Sequence, residues 1–161
     1  MEAAFRPAEI TALYERHVDR VYRLCFTYMK NRADTEDAVQ TTFLKLLRQP
    51  RTFESPEHEK AWLLVTAANT CRDALRRSER RNEPLEDWES HLIAPETPHR
   101  EVLDAVLALP EQYGVLVYLT YYEGYTSGEL AEMLQKPAST IRNQLREARK
   151  RLKITLGEED D

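Results

Sequence analysis

The chain has 161 residues, 42% of them hydrophobic, which is enough for one ordinary domain or two small ones with real cores. A charged fraction of 32% and only four glycines favour helices over sheet. The formal net charge of −5 argues at first against nucleic acid, but the acidic excess is concentrated in residues 82–104 and 158–161, so each remaining half is slightly basic. The sequence shows neither a signal peptide nor a long apolar run, which predicts a cytoplasmic protein without membrane insertion.

The two cysteines, Cys25 and Cys71, fall at apolar helical positions without ligand-like spacing. We therefore expect buried, reduced thiols rather than a disulfide or a metal pair. The four histidines are scattered and form no metal motif, so neither a metal nor another cofactor is expected.

Hydrophobic periodicity predicts three helices in the first half of the chain. The first is expected from about Ala8 to Lys30, with His17 on its apolar stripe as a core or boundary residue. The second begins with Asp34 as its cap. The third runs from Lys60 to Arg81 after a polar loop, and its buried side is expected at Ala61, Leu64, Val65, Ala68, Cys71 or Arg72, and Leu75. Short joints between these helices predict a small all-α bundle.

Residues 82–99 contain three prolines and an acidic excess without a sustained period, which predicts a linker. A short helix is expected from Glu101 to Leu109. A further helix begins at Pro110 and continues to Tyr122, and Gly124 is well placed as the left-handed residue that ends it.

The stretch from Tyr125 to Lys153 predicts two helices joined by a tight corner at Pro137. Thr126 and Glu129 have the spacing of a capping box at the start of the first helix. The second helix carries one apolar stripe, made of Ile141, Leu145, Ala148 and Leu152. About a quarter-turn round, basic residues repeat the same spacing: Arg142, Arg146, Arg149 and Lys153. This pattern is that of a helix-turn-helix that reads a major groove, although basic residues also complement a helix dipole without any ligand.

Two separated parts of the chain together resemble a known family. Asp34 to Arg48 (DTEDAVQTTFLKLLR) followed by Phe53 to Arg77 (FESPEHEKAWLLVTAANTCRDALRR) resembles the second conserved domain of bacterial sigma factors. Val102 to Leu152 resembles their fourth domain, and no part of the chain resembles the first or third. This two-domain arrangement is similar to the extracytoplasmic-function group of sigma factors.

The resemblance implies an all-α protein of two small helical domains joined by a linker, the C-terminal one a helix-turn-helix. It implies a factor that binds RNA polymerase core and directs promoter-specific transcription initiation by recognising the minus-ten and minus-thirty-five elements. RNA polymerase core and promoter DNA are thus the expected partners, and an anti-sigma factor is a further candidate. The implied boundaries are a polymerase and minus-ten domain at 1–81, a linker at 82–99, a minus-thirty-five domain at 100–157 and an acidic tail at 158–161.

The resemblance also implies roles for individual residues. The residues implied to bind core polymerase are Asp37, Gln40, Phe43 and Leu44. For Phe43, packing inside the helical bundle is at least as strong an expectation. Holding the minus-ten strand falls to Phe53, Asn69, Arg72, Arg76, Arg77 and Arg80. Trp62 would either stack on bases or pack in the core, and the core is the favoured place. In the minus-thirty-five duplex the groove residues are Ser139, Thr140, Arg142, Asn143 and Arg146, and the phosphate contacts are Arg149 and Lys150.

Two alternative hypotheses remain. The chain could be a stand-alone helix-turn-helix regulator that does not engage polymerase, in which case residues 1–81 would not capture core enzyme. It could instead be a metal-dependent hydrolase, but no ligand spacing, nucleophile–base pair or glycine-rich phosphate loop supports that chemistry. The candidate residues for such a hydrolase are Glu57, His58, Glu59 and Asp73.

Overall fold

The computed structural model describes three stretches of the chain: residues 6–49, 51–81 and 100–156. Within these stretches every regular element is a helix, which confirms the all-α prediction. The chain divides into two compact units, Met1–Asp87 and Trp88–Asp161. The predicted linker at 82–99 and the acidic tail at 158–161 lie outside the described residues.

The first unit is built from helices α1 (Pro7–Met29), α2 (Arg32–Arg48) and α3 (Pro56–Arg81), each packed on the other two. Their largest fully buried side chains include Leu24, Phe26, Leu63 and Leu64. Because one unit buries apolar surface from three helices, it forms the small bundle that the sequence predicts.

The start of α3 differs from the prediction, which began this helix at Lys60. Pro56 occupies the first helical position, where a proline loses no hydrogen bond. Ser55 acts as the cap, since its Oγ accepts a hydrogen bond from the backbone N–H of His58 at 3.1 Å. The polar loop is therefore shorter than expected.

The cap of α2 is Asn31 and not Asp34, so that prediction was wrong. Asn31 has an extended backbone, and its Oδ1 accepts a hydrogen bond from the backbone N–H of Asp34 at 2.9 Å. Its Nδ2 donates to the carboxylate of Asp34 at 2.9 Å, so Asp34 lies in the first turn. The carboxylate there still interacts favourably with the positive end of the helix.

The buried face of α3 is also placed differently from the prediction. Ala61, Val65 and Leu75 were expected to be buried, but they are only partly covered. Leu64, Ala68 and Cys71 are buried as expected, and Leu63 and Ala67 are buried beside them. Because α3 packs against both α1 and α2, its buried face is wider than the stripe that the spacing predicts and is shifted round the helix from it.

The two cysteines meet where α1 and α3 pack together. Both are free and buried, which confirms the expectation of reduced thiols. A hydrogen bond with Cys71, together with burial, raises the pKa of Cys25. Both factors favour the protonated thiol of Cys25 over the thiolate.

The second unit contains α4 (Arg100–Ala108), α5 (Glu111–Val117), α6 (Ser127–Leu134) and α7 (Ala138–Leu156). A π-helical turn, Tyr118–Tyr122, continues α5, where a uniform helix was expected. Gly124 follows with a φ of +84°, which confirms the predicted left-handed residue.

The helix-turn-helix forms as its local signals predict. The backbone N–H of Thr126 donates to Glu129 Oε1 at 2.9 Å, and the backbone N–H of Glu129 donates to Thr126 Oγ1 at 3.1 Å, so the capping box is confirmed. Gln135, with a φ of 54°, ends α6. The apolar stripe of α7 packs inward as predicted through Ile141, Leu145, Ala148 and the partly buried Leu152.

Replacing Thr126 with alanine should lower the free energy of unfolding by about 1 kcal/mol, because one backbone N–H of α6 loses its acceptor. Urea unfolding followed by helical circular dichroism measures the change. Ser127→Ala, one residue further into the same helix, is the control and should cost little. A similar loss in both variants would mean that the capping box is not the cause.

Candidate nucleic-acid and helix-binding surfaces

The face of α7 opposite its apolar stripe is polar and basic. Because that stripe packs inward, most of the residues predicted to contact DNA are exposed: Ser139, Arg142, Asn143, Arg146, Arg149 and Lys150. Thr140 is partly buried. Arg146 Nη1 lies 3.4 Å from Asn143 Oδ1, so these two side chains share one patch. Amide, hydroxyl and guanidinium groups on one exposed helix face are what base edges and phosphates require.

Arg149 has a neighbour that sequence reasoning missed. Its Nη1 donates to the hydroxyl of Tyr121 at 3.2 Å, although the two residues lie 28 positions apart. Tyr121 and Tyr122 are both exposed in the π-helical turn, and the ring of Tyr122 stacks on Tyr118 at 5.3 Å. A π-helical turn changes the phase of a helix, so spacing counted at 3.6 residues per turn could not place these tyrosines.

The predicted minus-ten residues of α3 lie along one side of its C-terminal half. Asn69, Arg76 and Arg77 are exposed, and Arg72 is partly buried. Arg72 donates a hydrogen bond to Asn69 Oδ1, and Arg76 forms an ion pair with Asp73. The side chain of Arg80 lies outside the described residues.

An aromatic cluster covers the N-terminal part of α3. The ring of Phe53 lies 6.0 Å from Trp62 and 5.3 Å from His58. The guanidinium of Arg51 sits 4.8 Å over the Trp62 ring. Trp62 is half-buried, so its favoured placement in the core was wrong. Leu63 and Leu64 take the inward positions and turn Trp62 towards the loop.

Beside this cluster an open cleft of about 420 Å³ lies between the end of α2 and α3. It is lined by Lys45, Arg48, Gln49, Trp62, Thr66 and Asn69. Of these, only Asn69 was among the predicted minus-ten residues. Lys45, Arg48, Gln49 and Thr66 were missed, because the packing of α2 on α3 and not their spacing brings them together. The cleft combines an indole face, amide and hydroxyl groups, and two cations.

A larger apolar groove of about 760 Å³ lies between α1 and α2. Leu44 is 40% exposed on its wall, and Tyr14 and Leu47 are similarly exposed. Phe43 is only 9% exposed, and its ring lies 4.9 Å from that of Tyr14. Asp37 and Gln40 are exposed on the same helix as Leu44. The contribution of α1 to this groove was not foreseen from the sequence.

Three of the four residues of the hydrolase hypothesis have structural partners, and the fourth, Glu57, is exposed. Glu59 accepts hydrogen bonds from Arg16 and lies beside His17, and Asp73 pairs with Arg76. His58 Nδ1 accepts a hydrogen bond from the backbone N–H of Glu54 at 3.1 Å. Among the described residues, no group of three His, Cys, Asp or Glu side chains is arranged to hold a metal ion. No described helix has the length and apolar character needed to cross a membrane.

Comparison with known proteins identifies the family. Residues 13–81 match the family described as Sigma-70 region 2, and residues 99–152 match Sigma-70, region 4. The ECF RNA polymerase sigma-E factor of Haemophilus influenzae is 30% identical over 155 residues, which span 85% of this chain and 82% of that protein. The chain belongs to the extracytoplasmic-function sigma factors. The RNA polymerase sigma factor SigV of Bacillus subtilis is 29% identical to this sigma factor over 147 residues, 89% of each chain.

Solved structures support the fold of this sigma factor. The sigma factor RpoE of Bartonella quintana, determined in complex with the anti-sigma factor NepR, matches with a TM-score of 0.78 at 18% identity. That match covers 93% of this chain and 98% of RpoE. CnrH, determined with the cytosolic domain of CnrY, matches with a TM-score of 0.60 at 20% identity over 94% of this chain and 90% of CnrH.

Proposed function

We propose that the two units of this sigma factor divide promoter recognition between them. As a sigma factor it directs promoter-specific transcription initiation on RNA polymerase core. In the proposal α7 reads the minus-thirty-five duplex, and α3 with the loop before it holds the opened minus-ten strand. The observation that carries the proposal is the exposed polar and basic face of α7, which points away from its buried stripe.

The α7 face suits a major groove because it combines short polar side chains near the helix start with arginines further along. Ser139, Thr140, Arg142, Asn143 and Arg146 are proposed to face base edges. Arg149 and Lys150, nearer the end of the helix, are proposed to contact phosphates. Tyr121 would hold the guanidinium of Arg149 in place through their hydrogen bond.

Run-off transcription with core polymerase and a genomic promoter library tests the whole proposal. The full chain should select a defined set of start sites that core enzyme alone does not use. A stand-alone regulator would neither capture core polymerase nor confer start-site selection. Absence of both activities would therefore exclude the proposed function.

For the minus-ten strand, the aromatic cluster and the adjacent cleft are the supporting features. Unstacked bases bind aromatic faces, and cations nearby attract the backbone. Trp62 and Phe53 supply the faces, Arg48 lines the cleft, and Arg72 donates a hydrogen bond to Asn69 of the same cleft. Arg77 is exposed further along α3. Asn69 in the cleft can hydrogen-bond a base edge.

Replacing Trp62 with alanine should weaken binding of single-stranded DNA by about 1–3 kcal/mol, or roughly 5- to 150-fold, because one stacking surface is lost. Fluorescence anisotropy with a labelled pool of random single-stranded oligonucleotides measures the effect. Trp62→Phe is the matched control and should retain most of the affinity. Unchanged affinity in Trp62→Ala would remove the cluster from the strand-binding surface.

The groove between α1 and α2 is proposed to dock on core polymerase. It offers exposed apolar side chains flanked by a carboxylate and an amide, which suits the side of a partner helix. Asp37, Gln40 and Leu44 are the proposed contacts, and Phe43 supports them from below.

The protein acts in the cytoplasm, where polymerase and promoter DNA are found. It has no catalytic activity of its own and needs no cofactor, since its role is to bind and position. An anti-sigma factor is proposed as a regulatory partner, in keeping with the complex in which RpoE was determined.

A further inference from the structure

A buried histidine links α1 to α3. His17 is only 4% exposed, and its Nε2 lies 2.6 Å from Glu59 Oε1, 42 positions along the chain. Its Nδ1 lies 2.7 Å from Nη1 of Arg20. A guanidinium nitrogen can only donate, so Nδ1 must accept and Nε2 must carry the proton that is donated to Glu59. The two partners therefore select one neutral tautomer of His17.

The same carboxylate oxygen of Glu59 also accepts hydrogen bonds from Arg16, at 2.9 Å from Nη2 and 3.3 Å from Nε. Burial lowers the pKa of His17, and the hydrogen bond to Glu59 opposes that change only in part. Burial raises the pKa of Glu59, but its hydrogen bonds with His17 and Arg16 outweigh this and hold the pKa below its usual value. The pair at neutral pH is thus a neutral imidazole and a carboxylate.

Glu59 lies in the first turn of α3, where the loop that carries Phe53 joins the helix. Its backbone N–H donates to the carbonyl of Ser55 at 3.1 Å. The preceding residue, His58, accepts a hydrogen bond from the backbone N–H of Glu54, and its ring packs edge-on against Phe53. One short chain of contacts therefore runs from His17 through the first turn of α3 to the aromatic ring of the loop.

We propose that His17 is a positioning residue for the minus-ten strand, which fixes the first turn of α3 through Glu59 and thereby holds Phe53 beside Trp62. The proposal rests on the proposed function of the Phe53–Trp62 surface. One ring nitrogen of His17 bonds to α3 through Glu59 and the other to α1 through Arg20, so the ring joins the first turn of α3 to α1. Here both partners are set so that only one protonation state satisfies them.

Protonation of His17 should loosen this link. The charged groups that face the ring are Arg16 and Arg20 from α1 and Glu59 from α3. A proton on Nδ1 would point at the guanidinium of Arg20 and remove its acceptor. Because the pKa in the folded state is below the ordinary 6.5, the unfolded chain takes up the proton first. The stabilisation is complete above pH 6.5 and is lost as the pH falls towards the lowered pKa.

Two variants of the full chain test the proposal. In His17→Ala, hydrogen exchange at the backbone amides of Glu54, His58 and Glu59 should speed up by about tenfold, as expected for the loss of one hydrogen bond to a charged group. Affinity for the random single-stranded pool should fall by a similar factor. In His17→Gln, whose amide N–H can still donate to Glu59, both quantities should stay within about threefold of the wild type.

Val21→Ala is the matched control, since Val21 is a fully buried residue of the same helix and its loss creates a cavity without touching Glu59. It should lower global stability without preferential exchange in the loop. A further measurement compares the affinity of the wild type and of His17→Gln for single-stranded DNA at about pH 7.5 and about pH 5.5. The wild type should lose affinity at the lower pH relative to His17→Gln, which has no ring to protonate.

The proposal would be overturned if His17→Ala and Val21→Ala lost equal global stability and showed equal hydrogen-exchange rates at Glu54, His58 and Glu59. His17 would then be a packing residue. Faster loop exchange with unchanged single-strand affinity would also overturn it. Failure of the wild type itself to bind single strands would instead reject the minus-ten role proposed above. The exchange measurement contains no DNA, so these failures are distinguishable.

Discussion

Replacing Arg142 and Arg146 together with alanine should lower transcription from a cognate promoter by about 100-fold and leave capture of core polymerase unchanged. Each arginine contact with a base edge contributes about 1–3 kcal/mol, so losing two removes most of the specific affinity for the duplex. The two residues lie one turn apart on the exposed face of α7. Their side chains take no part in the apolar stripe, so the fold of the second unit should not change.

Transcript yield and polymerase capture, measured on the same preparations, check this prediction. Arg151→Ala is the matched control on the same helix, because Arg151 is held by Glu147 at 3.2 Å and packs 4.5 Å over the ring of Tyr113. It should keep most of the activity. If Arg151→Ala were as damaging as the double variant, net charge rather than groove contact would explain the loss. A parallel loss of polymerase capture would contradict the division of roles between the two units.

Replacing Leu44 with alanine should have the second largest effect, weakening the binding of core polymerase by at least about 30-fold. A few residues near the centre of an interface dominate its affinity, each contributing about 2 kcal/mol or more, and we expect Leu44 to be one of them because it stands on the wall of the docking groove. Leu44 is 40% exposed beside an apolar groove, so its truncation costs the free protein little stability. The dissociation constant for immobilised core enzyme measures the effect.

Thr41→Ala is the control for that experiment, because Thr41 is an exposed residue of the same helix that does not line the groove. It should bind polymerase like the wild type. Unchanged binding in Leu44→Ala would place the polymerase contact elsewhere on the unit. Weakened binding in both variants would point to a general effect on α2 rather than to the groove.

Local signals account for what was predictable from the sequence. Caps and periodicity depend on residues within one or two turns of each other, so the Thr126–Glu129 capping box and the apolar stripe of α7 could be read directly. The exposed basic face followed from that stripe by geometry. The cap of α2 was predicted wrongly because Asn31 and Asp34 lie within one turn and either side chain can cap a helix. Only the backbone conformation, which is extended at Asn31, distinguishes them.

The amino-acid sequence by itself determined the helical class, the helix-turn-helix and the family, because each depends on local spacing or on residues in a fixed order. Only the tertiary structure decided which side chains meet across helices. Examples are the cleft where the end of α2 faces Trp62, the bond from Tyr121 to Arg149, and the link from His17 to Glu59. Residues dozens of positions apart come together through the packing of whole helices. The spacing of residues within one helix shows which face is apolar, but not which residues of another helix will contact it.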